Sequence, residues 1–152
     1  PRVAALAFDG WDMHANEGGA TSQLATRLSG LDGAFEELET GLGEHWRDTA
    51  VLAITEFGRT ARINGTGGYD HGTGAAAFLA GGAVKGGRVI ADWPGLNPNQ
   101  LYQGRDLAPT ADMRAVMKGL LADLFRLSPS MLATEVFPES AAVSPMRDLI
   151  VG

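Results

Sequence analysis

The side chains able to do chemistry in this chain collect at three places. "FDGWDMHAN" carries Asp9, Asp12 and His14; "VLAITEFGRT" delivers Glu56 and, three residues on, Arg59; "GTGGYDHGTG" holds Asp70 and His71. Carboxylate and imidazole together are the ligand set of zinc and manganese and, with fewer histidines, of magnesium or calcium. A divalent cation held by such mixed ligands would polarise a phosphoryl or sulfuryl oxygen and activate water near neutral pH. Arg59, with its planar fork, could hold a substrate oxyanion. Each residue also has a plainer use. Asp12 suits an Asx turn, His14 suits a surface, Glu56 could pair with Arg59 or Arg62, and Asp70 with His71 could steady a tight turn. The third histidine, His45 in "LGEHWRDT", sits near a helix end, where imidazole suits the dipole, and no chemistry is assigned to it. The glycine-rich stretch lacks the lysine-serine ending of a phosphate-binding P-loop, and no G-x-S-x-G nucleophile elbow occurs.

The elements that must position these groups are partly readable. "RVAALAF", residues 2–8, is short, apolar and followed by Asp9-Gly10, as a buried strand would be. Leu24, Leu28, Leu31, Phe35, Leu38 and Leu42 alternate spacings of four and three, which puts them on one helical face. Thr21 or Ser22 is placed to cap that helix and Gly43 to end it. Gly30 and Gly33 weaken it by roughly 1 kcal/mol each relative to alanine. "TAVLAIT", residues 49–55, is continuously apolar, the pattern of a strand covered on both faces in a parallel sheet. Strand, helix and strand together predict a βαβ unit. Residues 75–80 lean to strand, 81–87 to a turn, and 88–91 to a short strand. A helix is expected over 111–127, with Met113, Val116, Leu120, Leu121 and Leu124 as its stripe. Another should start at Ser128-Pro129, with serine capping and proline at the first helical position. Ligands of open α/β sheets bind beyond the carboxyl ends of the strands, so parallel strands would bring the Asp12 and Glu56 loops to one edge.

Composition sets the outer limits. The chain has 152 residues, 45% hydrophobic and 20% charged, which is one ordinary folded domain and no disordered or fibrous class. Lys and Arg number 12 against 18 Asp and Glu, a net charge of -6 with no basic cluster. Nucleic acid is therefore a poor partner, because phosphate neutralisation needs grouped cations. The absence of cysteine removes disulfides, thiolate zinc sites and cysteine nucleophiles. No apolar run approaches the roughly 20 residues that span a bilayer. Twenty-one glycines cluster in "NGTGGYDHGTG" and "GGAVKGG", where backbone shape outweighs side-chain packing. The opening on Pro1 and the small number of strands lead us to expect a piece of a larger α/β domain.

The motifs "GWDMHAN", "EFGRT", "NGTGGYDHG", "GGAVKGG" and "GRDLAPTADMRAV", in that order, resemble those of the bacterial domain-of-unknown-function family 1501, which is similar to the alkaline phosphatase and sulfatase superfamily. The resemblance runs from about Gly10 to Leu121. It implies an alkaline-phosphatase-like α/β fold with a partly parallel sheet flanked by helices, of which this chain is the incomplete, C-terminal portion. It also implies export to the periplasm. Carried over by motif, Asp12 and His14 would fill the first metal-ligand role, Glu56 part of the second, and His71 with Asp70 the last. Phe57 stands where the second role would take histidine, and the superfamily's serine or threonine nucleophile would lie upstream. The expected activity is metal-dependent hydrolysis of a small anionic phosphate or sulfate ester, with zinc, manganese, calcium or magnesium as cofactor. The alternative is a non-catalytic cell-envelope module that binds a glycan or a partner protein, with Trp11, Trp46 and Trp93 available for recognition.

Overall fold

A computed structural model describes residues 2–152. The helix expected from the leucine spacing is α1, Gln23–Leu42. Ser22 holds the N-cap position with extended dihedrals but its side chain makes no capping bond. Gly43 ends the helix with φ of 52° and an N–H bonded to Glu39 O, the left-handed turn-off that glycine takes without strain. No residue of α1 is fully buried. Its apolar face is half-covered, and Leu28, Leu31 and Phe35 line a shallow groove together with Phe78.

A 3-10 turn, Gly43–Asp48, carries the chain from α1 into β1, Val51–Ala53. β1 pairs with a later strand, Phe78–Ala80, in the register Val51↔Ala80, Leu52↔Leu79, Ala53↔Phe78. The pairing is antiparallel, so the expected parallel sheet is corrected here. A continuous apolar run reports burial, not direction, and direction is set by how the chain returns. The chain returns through a second two-stranded antiparallel sheet. β2, Gly58–Arg59, and β3, His71–Gly72, pair as Gly58↔Gly72 and Arg59↔His71; Phe78–Ala80 is accordingly β4. The strand expected over 2–8 does not form. The segment has no regular structure, and Leu6 is 83% exposed. Residues 88–91 likewise form no strand, with Val89 91% exposed. An apolar run becomes a strand only where another backbone edge takes up its N–H and C=O groups, and among the described residues none lies beside either run.

α2, Met113–Phe125, starts at Asp112, whose carboxylate accepts from Arg114 N at 2.8 Å. It ends at Arg126 in the left-handed region. Ser128 then caps a single turn, Pro129–Met131, by accepting from Met131 N, with proline in the first turn as expected. That turn continues as a π-helical stretch, Leu132–Val136. The last residues return along α2: Met146 N bonds to Ala115 O at 2.8 Å, Lys85 N to Leu149 O at 2.9 Å, and Val84 bridges Ile150.

The tie between α2 and this returning segment is a buried cation. Lys118 is 2% exposed, and its Nζ donates to Ser140 O at 2.6 Å and Val143 O at 2.9 Å. Buried carbonyls deprived of their donor cost more than the bond itself was worth. Lys118→Met keeps the aliphatic length and removes that donor. We expect it to lower unfolding free energy by about 2–3 kcal/mol in a urea titration. A change below about 0.5 kcal/mol, the range of ordinary surface substitutions, would show that the tie carries little.

Candidate metal centre

Three segments meet at the site: the loop of residues 10–17, the β2–β3 hairpin, and the glycine-rich loop between those two strands. The first loop lies against the third like a short added strand. Ala15 bridges Gly67, Asn16 N bonds to Thr66 O at 3.1 Å, and Glu17 N bonds to Gly67 O at 3.0 Å. Gly68 permits this approach, because a Cβ there would overlap the carbonyl group of His14. The hairpin is in turn held from below by the "GRDLAPT" segment. Thr60 bridges Asp106, Ala61 N bonds to Arg105 O, and Thr73 Oγ1 donates to the buried Asp106 carboxylate at 3.0 Å.

This packing brings Asp12, His14 and His71 together across 57 to 59 residues of sequence. Asp12 Oδ1 lies 2.7 Å from His71 Nε2 and 3.0 Å from His14 Nε2, and the two Nε2 atoms are 3.2 Å apart. All three side chains are about half-exposed, so the triangle is open to solvent. Each corner carries an electron pair, and such pairs repel at this distance unless protons or a cation lie between them. His71 and Arg59 hold the Asp12 carboxyl below the usual carboxylate range: the bond to His71 has the largest effect, then the one to Arg59, and partial burial opposes both.

The other expected residues fall around this triangle. Arg59, cross-strand partner of His71, sends one guanidinium nitrogen to Asp12 Oδ1 at 3.4 Å and the other to Trp11 O at 2.5 Å. Asp70 is not one of the three; its Oδ1 stands 3.6 Å from His14 Nδ1, on the far side of that ring. Glu56 is exposed and outside the group whose ligand atoms lie within 4.8 Å of one another. Among the described residues it pairs with neither Arg59 nor Arg62. Arg59 is bonded to Asp12 instead.

Two residues to which sequence reasoning gave no part in the site help to build it. Phe57 stacks on His71, with ring centroids 4.0 Å apart and planes 13° from parallel, and the Arg59 guanidinium carbon lies 5.1 Å from the centroid of the Phe57 ring. Stacking fixes the plane of the imidazole. Asn64 is the second. Its Oδ1 accepts from Thr66 N, Thr66 Oγ1 and Gly68 N at 2.8–3.1 Å, while its Nδ2 donates to His14 O at 2.9 Å and Asp70 Oδ1 at 3.1 Å. The Asn-Gly dipeptide at 64–65 was the available signal, since asparagine opens turns by bonding the backbone two residues on. It announces a turn but not what the turn holds.

The model of the family described as "Protein of unknown function (DUF1501)" matches residues 1–137, and the chain belongs to this family. No curated protein and no solved structure matches it. No helix among the described residues is long and apolar enough to cross a membrane.

Proposed function

We propose that this chain carries a divalent-metal site formed by Asp12 Oδ1, His14 Nε2 and His71 Nε2, serving hydrolysis of small phosphate or sulfate esters. The observation that carries the reading is the triangle itself, with edges of 2.7, 3.0 and 3.2 Å. Ligands about 2.0–2.2 Å from a tetrahedral zinc ion stand roughly 3.3–3.6 Å from one another, so the three edges would open by a few tenths of an ångström or more on binding. Three such atoms on an open surface leave the fourth position free, which is the arrangement of catalytic rather than structural sites. Bound there, a cation would supply Lewis-acid polarisation of the ester oxygen and a more acidic water. The protein's own part is to orient the ligands: Arg59, itself anchored on the Trp11 carbonyl, braces Asp12, and Phe57 braces His71. Arg59 is thereby given to Asp12 first, and any contact with a substrate oxyanion uses its remaining N–H groups.

The placement in the alkaline phosphatase and sulfatase superfamily, the reading of the chain as a C-terminal portion, and export from the cytoplasm rest on the motif resemblance and belong to the same proposal. Glu56 and Asp70 are not counted among the ligands in this reading.

Calorimetric titration of the chelator-treated protein with zinc, manganese, calcium and magnesium tests the site. We expect one equivalent of zinc or manganese to bind and to restore turnover of aryl phosphate or aryl sulfate esters. Failure of all four cations to bind ends the proposal. Ligand binding that survives chelator, without turnover, would assign the fold to a binding module instead.

A further inference from the structure

We infer that Asn64 and Asp70 are positioning residues that orient the His14 imidazole so that Nε2, and not Nδ1, faces the Asp12–His71 corner. The inference rests on the metal reading for its purpose but not for its test. One amide group reaches both ends of the problem: Asn64 Nδ2 bonds to the main-chain oxygen of His14 at 2.9 Å and to Asp70 Oδ1 at 3.1 Å. That same Asp70 oxygen is the one 3.6 Å from His14 Nδ1. The backbone of His14 and the carboxylate facing its ring are therefore held at a set separation by a single side chain.

The amide cannot turn over without loss. Its oxygen already accepts from Thr66 N, Thr66 Oγ1 and Gly68 N, and reversing it would set N–H groups against N–H groups. Thr66 Oγ1 also lies 2.8 Å from His14 O, so its single proton is shared between that carbonyl and Asn64 Oδ1. The Asp70 oxygen 3.6 Å from Nδ1 favours a proton there, while Asp12 Oδ1, 3.0 Å from Nε2, opposes this until a cation takes up the Nε2 electron pair. Outer carboxylates of this kind fix ring orientation and raise the basicity of a metal-bound imidazole.

The tautomer can be read directly in metal-free protein. In two-bond nitrogen–proton correlation spectra at a pH where imidazole is neutral, wild-type His14 should show a larger Nδ1-protonated share than variants that remove the outer partner. In Asp70→Ala and in Asn64→Ala the resonance should move toward the Nε2-protonated form that imidazole prefers in water. Zinc affinity of both variants should fall about 10- to 100-fold, the usual effect of removing an outer partner. Where a variant fails to fold, Asp70→Asn, which keeps the side-chain shape and removes the charge, takes its place, and an unchanged Nδ1-protonated share there overturns the inference. So does a tautomer that Asp70→Ala leaves unchanged. The expected tautomer without any zinc uptake would instead overturn the metal reading and leave the positioning role standing.

Discussion

His71→Ala will lose zinc binding by at least about 100-fold, because roughly 10–16 kcal/mol of apparent zinc affinity shared among four ligands allots about 3 kcal/mol to each. Among the described residues no further carboxylate, imidazole or thiolate joins this group to replace it. His71 Nε2 is 2.7 Å from Asp12 Oδ1 and 3.2 Å from His14 Nε2, and its ring plane is set by Phe57. Asp12→Asn should act in the same direction, since it keeps the shape of the side chain and removes the charge that attracts the cation. Glu56→Ala provides the contrast: exposed and outside the triangle, it should leave affinity within about twofold, the scale of an ordinary surface change. The measurement is a competition titration against a chromophoric zinc chelator, with circular dichroism to show that each variant is folded. Equal losses in His71→Ala and Glu56→Ala would mean that the ligand set is not the one drawn from these distances.

The second large effect concerns the backbone that carries His71. Gly58→Ala is expected to cost more than about 3 kcal/mol, at the upper end of overpacking effects, and in practice to prevent stable folding. Gly58 is buried in β2 opposite Gly72, and a Cβ there would occupy the space of the Gly74 carbonyl group. Main chain cannot swing aside as a long side chain does. Gly74 is itself held by its N–H bond to Leu107 O at 3.1 Å. Relief would have to come from parting β2 and β3, which would draw His71 away from Asp12. Gly33→Ala supplies the opposite sign. Gly33 lies within α1 with nothing inside 4 Å of its would-be Cβ, so alanine should raise stability by about 0.5–1 kcal/mol through helix propensity. Thermal unfolding of the two variants beside the parent reads both effects. A Gly58→Ala protein that melts with the parent would show that the hairpin yields easily.

Particular elements show where reading the sequence succeeds. α1 was legible because its leucines repeat with the helical period, and its last residue was marked by Gly43. The capped turn at Ser128-Pro129 was legible because serine, proline and their order each have a local steric reason. The antiparallel pairing of β1 with β4 was not, since strand direction depends on the path of the intervening residues and not on the composition of either strand. Apolar character in residues 2–8 was equally visible and equally insufficient, because pairing needs a partner edge that local sequence does not describe.

The candidate site divides in the same way. Residue type selected Asp12, His14, Glu56, Asp70 and His71 alike, because carboxylate and imidazole are metal-ligand types wherever they fall, and the motifs tied the chain to its family. Tertiary structure decided which of the selected groups stand together. It set Asp70 behind His14 instead of beside Asp12, turned Arg59 toward Asp12 and the Trp11 carbonyl, left Glu56 outside, and enlisted Asn64 and Phe57. The reason is one of range: local sequence governs dihedrals and periodicity over a few residues, whereas an ångström-scale meeting of side chains 57 or more residues apart is fixed by glycine-permitted backbone contacts between loops.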